Sequence, residues 1–566
     1  MNRALSVTPL LLLAVVVACQ DPSVAPAAVR PVFARAAAAS CPAHATFVVS
    51  DELALLSAVG SAQPHDTIAV SGMIEMTFAD VFVETDGLTF TCATPGSGLR
   101  AAPAAISWLF VVLSKHVTVE SLTLDASNTL NGAVVAFNGV EGPFTGFAED
   151  VRLVGNDVIC AGQHLEDCVS IRSDAGGLQG ALISANTFEA NTNNSTIGLY
   201  AVNGSRVDAN TIRAGSGWGI FLYGVNDARL EENTVEGGSG LFGLVLFGSG
   251  DDIRLIQNHF LCAVESCVHI ESDPGSVVQR VLISGNHFQA DTQLAIFLGG
   301  VNDARVEGNT IEGALGARLG NAAVFVAVSR GRLAGNSAQC ADACVFAARS
   351  PGLVIASNQF ESAGSSTGIH LQEGTDGDSV VGNTIVATVS SFVPQFGGIR
   401  VRDGASVVVA DNIVRGPWAN SIAATDLTGS DFERNTLQNA ASYGLRLSSD
   451  VSSLPVLTSV NVFRANRVSG AGSAGMFAQF ACNNQFIGNA LQRNAGNVGA
   501  VFDVTTGANT LVGDGTIVVD NGSFDCNGDG VPDPNVITGL GPVRRGVPLA
   551  APANGARTAR RGIALK

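Results

Sequence analysis

The feature that most limits what this chain can fold into is a motif that recurs about every 25 residues. The motif reads hydrophobic-x-x-Asn-x-apolar, then a short Gly-rich gap, then Gly-apolar-x-apolar, and it repeats from about residue 150 to residue 510. Its asparagines are Asn156, Asn186, Asn210, Asn233, Asn258, Asn286, Asn309, Asn336, Asn358, Asn383, Asn412, Asn435, Asn466, Asn489 and Asn509. A period of this length is typical of solenoids, in which each repeat forms one coil that packs on its neighbours.

The composition of the repeats decides between the kinds of solenoid. Short β-branched segments and abundant Gly, Asn and Thr exclude helical repeats, and the several leucines of a leucine-rich repeat are missing. The sequence therefore predicts an all-β parallel β-helix, with about 25 residues per coil. An inward asparagine at the bend of each coil would bond the backbone and the amide one coil away, so we interpret these asparagines as structural.

A solenoid has open ends, and the N-terminal end carries a capping signal. Ser50 is followed by Asp51 and Glu52, with Leu53, Leu56 and Val59 on one side. This pattern predicts a short N-capped amphipathic helix over the first coil. The predicted segments are 1–19, a signal; 20–40, a flexible tether; 41–110, the N-terminal cap and first coils; 111–520, the β-helix repeats; 521–540, a calcium-loop segment; and 541–566, a disordered basic tail.

The charge balance argues against a nucleic-acid partner. The chain has 31 Lys+Arg against 49 Asp+Glu, a net charge of −18, which is unfavourable for a groove that must neutralise phosphates. With 46% hydrophobic residues and only 14% charged ones, most of the chain can bury a core. We therefore exclude disorder for most of the protein and expect no nucleic acid.

The N-terminus indicates export. Arg3 precedes an apolar run, residues 7–18, that is too short to span a bilayer as a helix but suits a secretory signal. The run ends in "VVAC", which resembles the lipobox of bacterial lipoproteins and implies lipidation of Cys19. The alternative is an ordinary cleaved signal with a chance cysteine. We expect an extracytoplasmic protein that is lipid-anchored to the bacterial cell envelope, at the outer membrane or the cell surface, and that touches the membrane only through this anchor.

Ten cysteines remain after Cys19, an even number that suits an oxidising compartment. Six form three local pairs at one repeated position, each beginning four residues after a motif asparagine, and we interpret them as disulfides that staple loops. The predicted disulfides are Cys160–Cys168, Cys262–Cys267 and Cys340–Cys344, with Cys41–Cys92 and Cys482–Cys526 assigned by elimination. Zinc is disfavoured, because the pairs lie far apart in sequence.

Three segments carry a family resemblance. The opening "DELALLSAVGSAQPHDTIAVSGMIE", the later "HVTVESLTLDAS" and the repeated "GNTI" units resemble the right-handed parallel β-helix family of the pectate-lyase type, over residues 45–520. The resemblance implies a right-handed parallel β-helix with an N-terminal cap. It does not imply one activity, because the family contains lyases, hydrolases, epimerases and phage tailspikes.

The catalytic signatures of that family do not transfer to this chain. Arg415-Gly416-Pro417 lacks the second arginine of the calcium-dependent pectate lyases, and the polygalacturonase motifs are missing. A lyase whose base is a lysine could use only Lys115, since it is the only lysine in the body of the chain. Pro64-His65-Asp66 resembles the Pro-His-Asp of alginate epimerases, but it lies in the capping turn, where relatives commonly carry glycine at the position of His65. The resemblance therefore does not assign the catalytic residues of any known reaction to positions in this chain.

Two outward columns are predicted on the strand after the Gly-rich gap, because alternate residues of a strand face opposite ways. The first column is predicted to contain Phe221, Val245, His269, Phe297, Phe325, Phe346, His370, Arg400 and Arg446. The second is predicted to contain Tyr200, Tyr223, Phe247, Glu271, Gln372 and Arg402. The rings could stack on sugars in a substrate groove, or they could form an aromatic ladder that only stabilises the sheet.

One polar cluster beside the rings has acid–base potential. In a uronate lyase or epimerase, His370 could take the proton while Arg400 and Arg402 neutralise the sugar carboxylate. A glycosidase would use paired carboxylates instead, for which Glu373 and Asp403 are the nearest pair. The alternative is a solvated charged face.

Three further groups admit a structural interpretation that we favour over a functional one. His259 and His287 follow motif asparagines and are more typical of turns than of a metal site. An arginine column is predicted from Arg152, Arg206, Arg229, Arg254, Arg305 and Arg332. Four of these arginines have an aspartate two residues earlier, Asp150, Asp227, Asp252 and Asp303, which would neutralise the column locally. In "DCNGDGVPD", the residues Asp525, Asn527, Asp529 and Asp533 resemble an oxygen-ligand calcium loop, in which Val536 replaces the usual glutamate. That segment is either a calcium loop or a plain Asx-rich turn.

These observations predict a β-helix that binds, and could also cleave, an extracellular polysaccharide. If it is an enzyme, the chemistry is that of a polysaccharide lyase, epimerase or glycoside hydrolase. The alternative is a non-catalytic adhesin or surface scaffold.

Overall fold

A computed structural model describes residues 41–545, apart from 42–43, 104–105, 142–143, 163, 175–176, 238–241, 264, 291–293, 314–319, 363–366, 389–396, 451–457, 513–516, 528 and 540–542. The predicted signal, Cys19 and the tether lie outside the described residues, as does most of the basic tail. Within the described part of the chain, no helix is long and apolar enough to cross a membrane.

The chain forms the predicted parallel β-solenoid, with about 18 turns of about 25 residues. Each coil supplies three strands in turn, to three parallel sheets that we name the first, second and third sheet. The strands Trp218–Glu231 and Phe242–Ile256 run through a corner and belong to both the first and the second sheet. One antiparallel hairpin interrupts the pattern, where Gly132–Glu141 pairs with Phe144–Phe147.

The other strands of the first sheet are Val81–Val83, Trp108–Val112, Val169–Ser173, Ser195–Tyr200, Ser266–Glu271, Leu294–Gly299, Asn321–Val326, Val345–Ala348, Ile369–Gln372, Gly397–Ala405, Asn420–Thr428, Tyr443–Ser448, Ala474–Ala478, Val498–Phe502, Ile517–Asp520 and Val543–Arg545. Those of the second sheet are Phe47–Val49, Thr67–Val70, Thr89–Cys92, Thr118–Glu120, Val151–Val154, Leu178–Ser184, Val202–Asp208, Val278–Ser284, Val301–Asn302, Arg305–Glu307, Arg332–Ala334, Val354–Ala356, Ser379–Val381, Val408–Ala410, Asp431–Glu433, Thr458–Ser459, Val462–Arg464, Ala481–Cys482, Gln485–Ile487, Thr510–Val512 and Val536–Thr538. Those of the third sheet are Met73–Met76, Gly98–Ala101, Thr123–Asp125, Asp157–Cys160, Thr187–Ala190, Thr211–Ala214, Thr234–Gly237, His259–Cys262, His287–Ala290, Thr310–Gly313, Ser337–Cys340, Gln359–Ser362, Thr384–Ala387, Ile413–Arg415, Thr436–Gln438, Arg467–Ser469 and Ala490–Gln492.

Apolar side chains from all three sheets fill the interior as one continuous core. Phenylalanines at equivalent positions stack from coil to coil, with ring centroids 5.2 Å apart for Phe260 and Phe288 and 4.5 Å apart for Phe432 and Phe463. Each such buried ring contributes roughly 1.5–3 kcal/mol relative to an exposed one. The inward positions therefore fix the register, because a one-residue slip would turn these rings to the surface.

The asparagine ladder is present and buried, as the motif predicts. Asn309 is typical: its Nδ2 donates to the carbonyl oxygen of Ile283 and to Oδ1 of Asn336, both at 2.9 Å, while its Oδ1 accepts from the backbone of Asn286 at 2.9 Å. The ladder runs from Asn156 to Asn489. Each side chain thus satisfies backbone groups that the bend would otherwise leave buried without partners.

Asn509 is the exception, and its assignment to that ladder was wrong. It belongs to a second ladder at another corner, together with Asn461, Asn484 and Asn535. There its Oδ1 accepts from the backbone of Asn484 at 2.9 Å. The two ladders use the same chemistry, so the local sequence around Asn509 does not distinguish them.

The N-terminal cap is a helix, Glu52–Ser61, whose N-cap Asp51 accepts a hydrogen bond from the backbone N–H of Ala54 at 2.9 Å. The predicted apolar face is partly wrong, because Leu53 is 70% exposed and Leu55 is buried instead. The helix is rotated about its axis relative to the prediction, because the buried carboxylate of Glu52 faces inward and accepts backbone N–H bonds from residues 77–79.

All five predicted disulfides are present. They are Cys41–Cys92, Cys160–Cys168, Cys262–Cys267, Cys340–Cys344 and Cys482–Cys526. The three local ones each close a short loop between the third sheet and the first, directly before a first-sheet strand or, for Cys267, at its second residue.

Candidate functional site

The outward face of the first sheet carries the predicted columns in direct register. The first column is Phe221, Val245, His269, Phe297, Val324, Phe346, His370, Arg400, Ala423, Arg446 and Phe477. The second includes Tyr200, Tyr223, Phe247, Glu271 and, further along, Gln372, with Arg402 in the equivalent position of its coil. The assignment of Phe325 was wrong: Val324 holds the outward position, and Phe325 is fully buried in the core.

Seven rings form a contiguous surface that we name the aromatic cluster: Tyr200, Trp218, Phe221, Phe242, Phe247, His269 and Phe297. Trp218 stacks on Phe221 at 5.1 Å between ring centroids, and His269 stacks on Phe297 at 4.5 Å. Trp218 and Phe242 were missed in the sequence because they lie just before the repeated strand motif. The rings do form a ladder that stabilises the sheet.

The rings differ in how much surface they offer to a ligand. Tyr223, in the same second column, is 45% exposed, whereas Phe221 is 9% exposed. Tyr200 is held by its hydroxyl, which donates to the carboxylate of Asp167 at 2.8 Å, and Asp167 also accepts from the backbone of Ser195 at 3.0 Å. Burial raises the pKa of both Asp167 and Tyr200. Tyr200 therefore anchors the disulfide-closed loop that precedes Cys168, while Tyr223 is the ring most open to solvent.

Beyond the aromatic cluster, the same face has a cavity of about 330 Å³ that we name the arginine pocket. It is lined by Arg400, Arg402, Ala423, Thr425, Arg446, Ser448, Ser449, Asp450, Gln479 and Phe480. Ala423 lies in register between Arg400 and Arg446, and Thr425 lies in register between Arg402 and Ser448. These short side chains leave the space, and the longer arginines of the flanking coils form its walls.

The arginine pocket contains more positive than negative charge. Arg402 forms ion pairs with Asp403 at 3.0 Å and with Asp450 at 3.3 Å. Burial lowers the pKa of Arg400 and of Arg446, which means that the surroundings solvate their charges less well than water does. An anionic group that entered would replace that lost solvation.

His370 adjoins this pocket, in register with Arg400. Its ring makes an edge contact with Phe346, with centroids 5.4 Å apart. Burial, then the charges of Arg400 and Arg402, lower the pKa of His370 to about 4. Among the described residues, no hydrogen-bond partner lies against His370 Nε2.

The two candidate carboxylates lie at the corner after the first-sheet strands. Glu373 and Asp403 both have left-handed backbone conformations, with φ of 57° and 56°. Asp403 is paired with Arg402, and Glu373 is exposed. His370, Arg400, Arg402 and Arg446 thus share one face, with the carboxylates at its edge.

His259 and His287 stack on the third sheet, with ring centroids 4.8 Å apart. His287 Nε2 lies 2.7 Å from the carboxylate of Glu312. Within the described ranges, no three His, Cys, Asp or Glu side chains are placed to hold a metal ion. The prediction that these histidines lie in turns was wrong, because each is the first residue of a third-sheet strand, His259–Cys262 or His287–Ala290.

The calcium-loop segment is compact. The side chains of Asp525, Asn527, Asp529 and Asp533 each accept a hydrogen bond from a backbone N–H within residues 526–531, at 2.7–3.0 Å. The disulfide Cys482–Cys526 ties the segment to the second sheet. These bonds form an Asx-rich turn, and calcium at this segment stays a prediction.

The predicted arginine column lies on the second sheet, interrupted by Leu182 and Leu282. Two of its arginines pair with the aspartate two residues earlier, as predicted: Arg152 with Asp150 and Arg254 with Asp252, both at 2.9 Å. The predictions for Asp227 and Asp303 were wrong, since Arg229 pairs with Glu231 at 2.5 Å and Asp303 pairs with Arg330 of the next coil at 2.8 Å. Arg206 and Arg332, which have no aspartate two residues earlier, pair with Asp208 and Glu307, both at 3.1 Å. Most of the column is therefore a salt-bridged scaffold.

The fold and this surface define a right-handed parallel β-helix with one aromatic and cationic face. The sequence model of the right handed beta helix region matches residues 160–311 and 343–524, more than half of the chain, and the chain belongs to that family. No curated protein matches the chain.

Solved structures of low sequence identity resemble the chain. The Dettilon tailspike protein is 15% identical, with 58% of this chain and 62% of the tailspike covered and a TM-score of 0.38, so the chain spans less than two thirds of that protein. The A-module of a mannuronan C-5 epimerase from Azotobacter vinelandii is 11% identical, with 88% and 95% covered and a TM-score of 0.26. A periplasmic alginate epimerase is 11% identical, with 78% and 83% covered and a TM-score of 0.19.

Proposed function

We propose that the first sheet binds an acidic extracellular polysaccharide. The observation that carries this proposal is the arginine pocket, which lies on the same outward column as the aromatic cluster. Arginine guanidinium groups recognise carboxylates by paired hydrogen bonds, and aromatic faces stack on the C–H faces of sugar rings. One surface therefore offers the two contacts that a uronate-containing polymer needs.

The dimensions favour a polymer over a single sugar. His269 and Arg446 are separated by seven register steps along the column, which corresponds to roughly 34 Å at the usual spacing of strands. A chain of several sugar units could contact Tyr223, the aromatic cluster and the arginine pocket together. A monosaccharide could occupy only the pocket.

Binding is better supported than cleavage. A general base works best when its pKa lies near the working pH, and the pKa of His370 is lowered to about 4 in the free protein. Asp403 is engaged by Arg402, so it is poorly suited to act as one of two catalytic carboxylates. We therefore place His370, Arg400, Arg402 and Arg446 in ligand binding, and treat turnover as an outcome of the test.

The compartment follows from the disulfides. Five disulfides are typical of a protein that folds outside the reducing cytoplasm. With the lipobox-like sequence at Cys19, we propose that the protein is a lipoprotein of the bacterial cell envelope, held by its lipid and displaying the β-helix outside the cytoplasmic membrane.

The test is calorimetric titration of the protein with uronate-containing and neutral oligosaccharides of matched length. We expect the uronate oligomer to bind, and Arg446→Ala to weaken it at least tenfold, because a charge-assisted contact contributes roughly 1.5–3 kcal/mol. The matched control is Arg213→Ala, which removes a third-sheet arginine paired with Glu236 at 3.3 Å. Tyr223→Ala should weaken binding without changing the preference for charge.

Two results would contradict the proposal. One is equal affinity for neutral and acidic oligomers, and the other is unchanged affinity in Arg446→Ala. Mass spectrometry of the same mixtures separates binding from chemistry: unsaturated or hydrolysed products that disappear in His370→Ala would make the pocket an active site.

A further inference from the structure

A second groove lies on the second sheet, on a different face of the rod from the arginine pocket. Its volume is about 640 Å³. Five arginines line it, Arg254, Arg280, Arg305, Arg330 and Arg332, and we name it the second-sheet groove. Asp252 and Asp303 are the acidic residues among its lining.

The groove arises where the arginine column is interrupted. Leu282 lies in register between Arg254 and Arg305, and Val354 follows Arg332 in the next coil. These side chains are shorter than arginine and half-buried, so they form an apolar floor between cationic walls.

Arg305 differs from the other arginines of the groove because the carboxylates nearest to it in sequence pair with arginines of the next coil. The carboxylate of Asp303, two residues earlier, is engaged by Arg330 of the next coil through two hydrogen bonds of 2.8 Å. The carboxylate of Glu307, two residues later, pairs with Arg332 at 3.1 Å. Within the part of the chain that the structure describes, no ion pair involves Arg305. The neighbouring acids that could neutralise it are thus committed to the arginines of the following coil.

The surrounding ion pairs are solvent-accessible. Arg330 is 71% exposed in its pair with Asp303, and Arg280 pairs with Asp251 on the surface. Exposed pairs of this kind stabilise a protein only slightly. The arginine side chains can therefore turn toward a competing oxyanion at little energetic cost, while the backbone of the coils stays fixed.

We infer that the second-sheet groove is a separate binding site for an acidic glycan, with Arg305 contacting a carboxylate or sulfate substituent. Arg332 and Arg330 supply further charge on the adjoining coil, and Leu282 supports the apolar face of the attached sugar ring. The site lies on another sheet and does not depend on the arginine pocket. A single glycan chain or two chains could then engage both faces of one rod.

The experiment uses the full chain carrying Arg446→Ala, so that the arginine pocket is already weakened. Calorimetric titrations with a uronate tetrasaccharide and with a sulfated tetrasaccharide identify the preferred substituent, and inorganic sulfate is titrated as the small-ion arm. We expect one glycan to bind, with at least fivefold loss when Arg305→Ala is added. Arg229→Ala, in the same column but paired with Glu231 and outside the groove, is the matched control and should leave affinity unchanged.

One further variant and a folding control make the outcome interpretable. Leu282→Glu would place a negative charge on the floor of the groove and should abolish binding of an acidic glycan, and circular dichroism establishes that each variant is folded. The inference is overturned if Arg305→Ala binds as tightly as its parent, if neither glycan binds, or if inorganic sulfate binds as tightly as the glycans. Because Arg446→Ala is present throughout, failure here leaves the proposal for the first sheet standing.

Discussion

Arg400 lies directly beside His370 on the next coil of the first sheet, in parallel register. Burial of the ring, followed by the guanidinium charges of Arg400 and Arg402, lowers the pKa of His370 to about 4. The imidazole is therefore neutral at pH 7. In the unfolded chain this imidazole would bind a proton near pH 6.5. The free energy of unfolding should therefore decrease as the pH falls from about 6.5 to about 4.

We expect the pKa of His370 to rise when an acidic sugar binds, since a carboxylate in the arginine pocket would oppose the two positive charges. NMR titration of the ring, with and without a uronate oligosaccharide, measures this change. Arg400→Met should raise the pKa in the free protein, whereas Arg213→Met on the third sheet should not. A pKa that stays near 4 in the complex would place the ligand away from His370.

Replacement of Asn309 by alanine should destabilise the coils on both sides of it. The substitution leaves the carbonyl oxygen of Ile283 and the backbone N–H of Asn286 buried without their partners. We expect a loss of roughly 2–4 kcal/mol from the free energy of unfolding, measured in urea. Asn226→Ala is the control, because Asn226 makes its hydrogen bond to Asn203 at the surface, and it should cost under about 1 kcal/mol.

The sequence predicts the fold well because the determinants of the coil are local and repeated. From Asn156 to Asn489, an asparagine at one bend and inward apolar positions in the strands recur from coil to coil, so an ambiguous assignment in one repeat can be decided from its neighbours. Phe325 shows where this fails: its strand begins Asn321-Ala-Ala rather than with the Gly-apolar pattern, so the inward phase has no local marker. The core resolves the ambiguity, since only one phase buries the phenylalanine ring.

The candidate site was harder to predict, because it depends on neighbours several coils apart. His370, Arg400 and Arg446 could be assigned to one column from the period alone. The arginine pocket could not, because it exists only where Ala423 and Thr425 interrupt the long side chains of that face. Likewise, the isolation of Arg305 depends on Asp303 pairing across a coil boundary rather than within its own coil.

Calcium binding at the 525–533 segment is expected to be weak, with a dissociation constant on the order of 10⁻³ M, because Val536 replaces the bidentate glutamate. Calorimetry with calcium alone measures it. Asp529→Asn should weaken binding further, while Glu75→Gln, an exposed carboxyl on the third sheet, is the control. Tight binding that survives in Asp529→Asn would locate the ion elsewhere.

Cys19→Ser should release the protein from the membrane. An acylated cysteine anchors a protein because each buried methylene contributes about 0.8 kcal/mol, and serine at this position cannot form the thioether. Fractionation of cells that express either form measures the distribution. A serine variant that stays in the membrane fraction would show that the β-helix is retained by something other than the lipid.

Asp378 makes stability depend on pH in a predictable direction. Its carboxyl is fully buried at a corner of the second sheet, and burial raises its pKa to about 7, against a backbone N–H bond from Leu353 at 2.8 Å that lowers it. The folded state therefore keeps a proton that the unfolded chain loses near pH 3.8. Stability should fall by up to roughly 4 kcal/mol as the pH rises from about 4 to about 7.

Asp378→Asn tests this because asparagine accepts the same backbone bond without acquiring a charge, as Asn461 does at the equivalent corner. We expect the variant to unfold at higher urea concentration than the parent at pH 8 and at a similar concentration at pH 4. Glu75→Gln should follow the parent at both pH values. A variant that is less stable than the parent at pH 8 would mean that the ionised carboxylate is favoured at this corner, and that its pKa is not raised.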